Sequence, residues 1–263
     1  MAENNYILET KDLTIRFGGL VAVDAINMGI KKNSIMGLIG PNGSGKTTIF
    51  NMLTGLYTPT SGDIFFEGES ITRKSATEIA RKGIARTFQS SRLCLDLSIL
   101  DNVFIGMHAN QRAGLAHAIF GRKKLAAEVK QAHEKTLYLL NIFNPDLVNK
   151  SGRPAGSLAQ IDRRRVEICR AMAREPKLLL LDEPSAGMTP EEITELMNDI
   201  KKVKSESKEI TIVIVEHVMS VIKMITEHVF VINFGRKIAE GSYEVVCKDP
   251  EVISAYLGKH GAA

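Results

Sequence analysis

Gly40-Pro41-Asn42-Gly43-Ser44-Gly45-Lys46-Thr47-Thr48 follows the apolar run Ser34-Ile35-Met36-Gly37-Leu38-Ile39 and precedes Ile49-Phe50-Asn51-Met52-Leu53. The run before it reads as a buried strand, and the run after it as the first turns of a helix. Gly40, Gly45, Lys46 and Thr47 fit the phosphate-loop pattern G-x-x-x-x-G-K-[ST]. Glycines let successive backbone N–H groups converge on phosphate oxygens, and a helix N-terminus adds partial positive charge. Lys46 has the length to reach β- and γ-phosphates, and the Thr47 hydroxyl can ligate a bridging Mg²⁺. The alternative is a glycine-rich turn opening an ordinary helix. At average residue frequencies the pattern arises by chance in about one chain in a hundred of this length. The flanking strand and helix supply the context the pattern needs, so Gly40–Thr48 is read as a nucleotide-binding loop.

Composition sets the outer bounds. At 263 residues the chain is one large domain or two small ones, with ample length to bury a core. Hydrophobic residues at 44% and charged residues at 24% are ordinary for a globular protein. A formal charge of +4 is too mild to imply nucleic acid. Cys94, Cys169 and Cys247 lie far apart with no C-x-x-C pair, which suggests neither a disulfide framework nor a zinc site and fits a reducing cytoplasm. Met1–Thr10 shows none of the zones of a signal peptide, and no apolar run approaches about 18 residues. Work at a membrane is therefore expected to go through a partner.

Outward from the loop, Tyr6–Ile30 alternates apolar and polar residues about a Gly18-Gly19 turn, as an antiparallel hairpin does. Thr58–Gly62 reads as a turn into a strand at Asp63–Phe66. A short helix at Ala76–Lys82 leads to the strand-like Gly83–Gln89. From residue 90 to 156 helical periodicity takes over. Ser98 with Asp101 reads as a capping box, and Leu125, Val129, Ala132, Thr136, Leu137 and Leu140 trace one helix face. The α/β pattern then resumes, with a basic helix at Asp162–Arg174 and a buried strand at Lys177–Leu181. A helix opening at Pro190, a buried strand at Ile210–Val215, a further helix and closing strands at His228–Asn233 and Lys237–Glu240 complete it. The uninterrupted apolar strands imply parallel pairing with both faces covered. The Arg163–Arg165 run reads as a solvated helix face.

Leu178-Leu179-Leu180-Leu181-Asp182-Glu183-Pro184 ends an apolar strand with two acids. In phosphate-loop enzymes an acid at such a strand end holds Mg²⁺, and a second beside it can polarise the attacking water. With Thr87-Phe88-Gln89 and Val215-Glu216-His217 in this order, the chain resembles the ATP-binding subunit of an ABC transporter over essentially its whole length. It is most similar to the ATPase subunits of branched-chain amino-acid importers. Arg16-Phe17-Gly18-Gly19-Leu20, Gly83–Gln89, Ser185-Ala186-Gly187-Met188 and the tail Ala255-Tyr256-Leu257-Gly258 carry that closer likeness.

The resemblance implies a P-loop NTPase fold of ABC ATPase type, with an antiparallel β layer and a helical subdomain. Residues 1–89 and 157–263 would form the α/β core with its N-terminal β layer, and 90–156 the helical subdomain. It implies ATP and Mg²⁺ as cofactors. Phe17 would stack on adenine, Gly40, Pro41, Asn42, Gly43, Ser44, Gly45, Lys46, Thr47 and Thr48 would cradle phosphates, and Thr47, Gln89 and Asp182 would face Mg²⁺. Glu183 would be the catalytic base, His217 the γ-phosphate switch, and Ser185–Met188 the loop touching an opposite subunit. The implied partners are a second ABC ATPase subunit (a paralogue or a second copy), integral membrane permease subunits and, indirectly, a solute-binding protein, with no nucleic acid. The implied place is the cytoplasmic face of the membrane, with ATP hydrolysis powering uptake of amino acids or another small polar solute.

One segment departs from the pattern. The family signature L-S-G-G-Q is replaced by Leu158-Ala159-Gln160-Ile161-Asp162. Ala159 stands in place of a serine hydroxyl, Ile161 in place of a glycine, and Asp162 adds a negative charge at a position expected to face phosphate. A heterodimer with one weak site, an altered but working signature, and impaired hydrolysis all follow from it. The rival readings are a soluble ABC-type ATPase and an ATP-binding regulatory subunit. A GTPase is disfavoured because no N-K-x-D motif is present.

Overall fold

Apolar runs around Ile35, Leu178 and Ile212 demand cover on both faces. In a computed structural model of the chain, which describes residues 5–89, 92–107, 122–207 and 209–257 (side chains of 122–126 excepted), every residue of these runs is buried. In chain order come β1 (Tyr6–Phe17), β2 (Leu20–Lys31), β3 (Ile35–Ile39), α1 (Lys46–Leu53), β4 (Ser61–Phe66), β5 (Glu69–Ser70), α2 (Ala76–Lys82) and β6 (Ile84–Arg86). Next are α3 (Ile99–Met107), α4 (Arg122–Phe143), α5 (Pro145–Asn149), α6 (Gln160–Met172), β7 (Leu178–Asp182) and α7 (Pro190–Glu206). The chain closes with β8 (Thr211–Val215), α8 (Met219–Ile225), β9 (His228–Asn233), β10 (Arg236–Gly241), α9 (Tyr243–Val246) and α10 (Pro250–Leu257). Two compact units result: Met1–Arg86 with Lys177–Pro184 and Lys208–Ala263, and Thr87–Pro176 with Ser185–Ser207.

The first unit holds both sheets. A six-stranded sheet runs β10-β9-β3-β8-β7-β6, parallel except for the β9–β10 hairpin. A four-stranded antiparallel sheet runs β2-β1-β4-β5. Ile49, Phe50, Met52 and Leu53 of α1 share one core with Leu13, Ile26 and Ile64 of the antiparallel sheet and Leu38, Leu180 and Val213 of the parallel one. Burying each such side chain contributes about 2 kcal/mol, so the helix after the phosphate loop is anchored on both sides.

The expected β1–β2 hairpin forms with its turn at Gly18-Gly19, but its alternation breaks in the middle. Asp12 takes a left-handed φ of 47° and Ala25 one of 49°, with register shifts on either side. The bulge turns Thr10 and Thr14 inward, where Thr10 Oγ1 donates to the Ile26 carbonyl and Thr14 Oγ1 accepts from Ala25 N–H.

The second unit is helical. Its described elements are α3, α4 and α5, together with α6 and α7, both expected instead in the α/β core. Ser98 caps α3 as expected, accepting from Asp101 N–H at 3.0 Å. A Cβ on Gly106 would stand 2.2 Å from the Arg170 carbonyl, so α3 and α6 touch backbone to backbone there. The α4 stripe is shorter than its periodicity suggests: Val129 is 45% exposed, while Thr136, Leu139, Leu140 and Phe143 are buried where α4 meets α3, α6 and α7. Leu125's side chain lies outside the described residues.

The basic run on α6 is not a solvated face. Arg164 and Arg165 are buried. Arg164 pairs with Glu167 at 2.7 Å and donates to the Phe88 carbonyl at 3.0 Å. Arg165 pairs with Asp162 at 2.9 Å, Glu195 at 2.6 Å and Asp199 at 2.8 Å, which raises its pKa despite its burial. Periodicity misassigns these residues because it counts arginine as polar, whereas a planar guanidinium with several acids about it can be buried.

An Arg165→Met variant strands three carboxylates around an apolar side chain and should lose about 3 kcal/mol or more in urea unfolding. A Lys130→Met control on exposed α4 should stay within about 0.5 kcal/mol of the parent. Equal stabilities would contradict a structural role for the network.

Candidate functional site

Three loops leave the parallel sheet at one edge because three strands end in register. Leu38 of β3 pairs with Val215 of β8, and Val215 pairs with Asp182 of β7. Gly40–Gly45 follows β3, Glu183 follows β7 and Glu216-His217 follows β8. In a parallel sheet this carboxyl edge is where ligands bind.

The loop after β3 is a cradle with almost no spare room. Gly40 has φ of 156°, and a Cβ there would stand 2.1 Å from the Ile232 carbonyl. Gly45 has φ of 107°, and its Cβ would stand 2.8 Å from the Ala22 carbonyl. Both positions therefore require glycine. Pro41, Asn42, Gly43 and Ser44 complete the turn, with Ser44 N–H donating to the Pro41 carbonyl at 3.2 Å. No side chain caps the start of α1, so its first N–H groups are left to a ligand.

Lys46 is buried and folds back over the loop, donating from Nζ to the carbonyls of Gly40 at 2.8 Å and Pro41 at 2.9 Å. Burial holds its ammonium below the ordinary lysine value, opposed by the carboxylates of Glu183 and then Asp182. Thr47 is exposed beside it, and Thr48 is half-buried. This combination of uncapped helix, glycine cradle and ammonium fits a polyphosphate. Among the described residues no three His, Cys, Asp or Glu side chains form a metal cage. Mg²⁺ needs none, since it is held by one or two protein oxygens plus phosphates and water.

Asp182 is buried and bonded to a partner that the sequence did not single out. Arg86 of β6 donates from Nη2 to Asp182 Oδ2 at 2.6 Å and from Nη1 to Asn51 Oδ1 of α1 at 2.6 Å, with its guanidinium 5.4 Å from the centre of the Phe50 ring. The guanidinium thus ties the end of β7 to the helix of the phosphate loop. Its signal lay in the Gly83–Gln89 match, which includes Arg86 without stating its role. Glu183 holds φ of 45° while its N–H donates to the Val215 carbonyl at 2.9 Å. A glutamate in the left-handed region costs about 1–3 kcal/mol, the kind of strain that clusters at functional positions.

His217 is exposed just past β8, beside a fully buried Glu216. Phe17, at the tip of the β1–β2 hairpin, is 45% exposed and meets Tyr57 edge to face with ring centres 5.4 Å apart. Lys46, Thr47, Asp182, Glu183, His217 and Phe17 all belong to the first unit.

Gln89 and the signature segment belong to the second. Gln89 is exposed, and its carbonyl accepts from Arg164 Nη2 at 3.3 Å. Ala159 precedes α6 with no side-chain cap. Gln160 Nε2 donates to the Ala186 carbonyl at 2.8 Å, joining the signature to Ser185–Met188. Ile161 is buried. Asp162 does not carry a bare charge, because Arg165 pairs with it.

Removing Arg86 leaves a buried carboxylate without its guanidinium, so Arg86→Met should destabilise the protein by about 3–5 kcal/mol. Adding Asp182→Leu should recover most of that loss in the same denaturation assay. A double variant no more stable than Arg86→Met would rule out the charge pair as the cause.

Comparison with known proteins agrees with this geometry. Residues 23–186 match the family described as ABC transporter. Residues 236–262 match the family described as branched-chain amino acid ATP-binding cassette transporter. The chain is 40% identical over 253 residues to the high-affinity branched-chain amino acid transport ATP-binding protein BraF of Pseudomonas aeruginosa, covering 96% of this chain and 98% of that protein. It is 36% identical to the LivG protein of the same description from Escherichia coli K12, again over 96% and 98%. Among solved structures, a nucleotide-free ATP-binding cassette from an ABC transporter superposes with a TM-score of 0.82 at 31% identity, over 97% of this chain and 100% of the other. The ADP conformation of such a cassette gives 0.83 at 30% identity, over 97% and 99%. With the phosphate loop, the Asp182-Glu183 strand end and both family matches in place, the chain belongs to the ATP-binding subunits of ABC transporters, in their branched-chain amino-acid branch.

Proposed function

We propose that this chain hydrolyses ATP to power uptake of branched-chain or other small amino acids through separate membrane subunits, from the cytoplasmic face of the membrane. The in-register row Leu38–Val215–Asp182 carries the reading, since it sets the phosphate loop, both acids and His217 along one edge. The match over residues 236–262 supports the substrate class. Among the described residues no helix is long and apolar enough to cross a membrane, which suits a subunit that acts on membrane partners.

In this reading Phe17 stacks on adenine and Gly40–Thr48 cradles the phosphates. Thr47 and Asp182 would hold Mg²⁺, with Gln89 assigned to the same set by its motif. Mg²⁺, when bound, would supply positive charge to neutralise the phosphates. Glu183 takes the proton from the attacking water at its carboxylate, Lys46 offsets charge on the phosphoryl oxygens, and His217 donates to them. The strained backbone at Glu183 favours a hydrolytic subunit over a purely regulatory one. Because Asp162 is paired with Arg165 and Ile161 is buried, the segment Leu158–Asp162 is proposed to serve as a working signature toward a second ATPase subunit.

Steady-state ATPase assays with Mg²⁺ test this. Lys46→Ala should lose ATP binding, while Glu183→Gln should keep binding and lose about 100-fold or more in turnover. Parent-like turnover by Glu183→Gln would remove it as the base.

A further inference from the structure

Tyr57 lies outside every motif that the sequence brings forward, yet its ring meets that of Phe17, with centres 5.4 Å apart and planes at 73°. Both side chains face water, Tyr57 at 40% exposure. Leu20, opposite Phe17 on β2, and Leu56, next to Tyr57, are exposed as well. An aromatic pair left at the surface is an exception to the burial of large apolar side chains, and such exceptions mark places where something binds.

The backbone explains why the two rings meet. The N–H groups of Leu56 and Tyr57 both donate to the Asn51 carbonyl, at 2.9 and 3.1 Å, which folds the chain back on the end of α1. Three residues on, Thr60 N–H donates to the Thr14 carbonyl at 2.8 Å, and Thr60 Oγ1 accepts from Arg16 N–H at 3.0 Å. Tyr57 is thus held between the helix that the phosphate loop opens and the strand end that carries Phe17. That strand end is joined to the same loop through β2. Phe17 pairs with Leu20, and the Ala22 carbonyl, two residues further, is the group that would stand 2.8 Å from a Cβ on Gly45. All of these residues belong to the first unit.

An edge-to-face contact occupies at most one face of Phe17 and leaves the other open to a flat base. It also limits the rotamers of a side chain at a hairpin tip, which would otherwise have to be ordered when the base binds. We infer that Tyr57 is a positioning residue for adenine: its ring holds that of Phe17 in the orientation whose free face takes the base. The inference rests on the reading of Phe17 as the adenine platform. Tyr57 acts through Phe17 and takes no part in the proton transfer assigned to Glu183. Its loss therefore weakens nucleotide binding and leaves turnover at saturation unchanged.

The test is a double-variant cycle of Tyr57→Leu and Phe17→Leu, with Tyr57→Phe as the conservative variant. MgATP affinity is measured by calorimetry, and KM and kcat by steady-state hydrolysis. Tyr57→Leu should weaken MgATP binding and raise KM by about three- to tenfold at unchanged kcat, the range expected of one aromatic pair. Tyr57→Phe should behave as the parent, and Tyr57→Leu should cost nothing further once Phe17 is replaced by leucine. Parent-like affinity in Tyr57→Leu overturns the inference. So does an equal loss in Tyr57→Phe, or additive losses in the double variant, which would give Tyr57 a role independent of Phe17. If Phe17→Leu itself binds MgATP like the parent, the reading of Phe17 has failed and the inference falls with it.

Discussion

Backbone crowding around the phosphate loop is the constraint on which the rest of the site depends. Gly40 lies so close to the Ile232 carbonyl, and Gly45 and Gly235 to that of Ala22, that none of the three tolerates a side chain. The loop is thereby wedged between β9, the β9–β10 turn and β2. Two further hydrogen bonds hold this contact: Gly235 N–H donates to the Ser44 carbonyl and Asp24 N–H to the Gly235 carbonyl, each at 2.9 Å. A loop fixed in this way presents its N–H groups without reorganising, which is what electrostatic binding of phosphate requires.

Charge is distributed around that cradle in a way that follows from burial. Lys46 loses solvation and regains stability from loop carbonyls and from the acids at the end of β7. Asp182 is shielded by Arg86, which also grips Asn51 on α1. The acid proposed for Mg²⁺ and the helix proposed for phosphate are thus joined through one guanidinium. In the second unit Arg164 plays a comparable part, binding Glu167 and the carbonyls of Phe88 and Gln89. Arg86, inside the Gly83–Gln89 motif, and Arg164, in the run expected to face solvent, both hold backbone that carries motif residues.

Most of the first unit was legible in the sequence, because its signals are local. Apolar runs without polar interruption mark the strands β3, β7 and β8, and the glycines between β3 and α1 mark the loop. Long-range pairing was not legible. The register that lines up Leu38, Val215 and Asp182 depends on strands far apart in the chain. The burial of Arg164 and Arg165 escaped for the same reason, since the acids that neutralise Arg165 include Glu195 and Asp199 of α7. The bulge at Asp12 escaped because a left-handed aspartate leaves no composition signal. The signature segment is the instructive case. Read alone, Ile161 and Asp162 look incompatible with a phosphate. In the fold one packs inward and the other is paired with Arg165, so their types answer to the helix that carries them.

The account turns on whether that altered segment still completes an ATP site on another copy. The most direct measurement is the solution mass of a Glu183→Gln variant with and without MgATP, since removing the base should trap a closed nucleotide-bound pair. The account predicts a monomer without nucleotide and a dimer with it. A variant that binds ATP and remains monomeric would contradict a working signature at Leu158–Asp162.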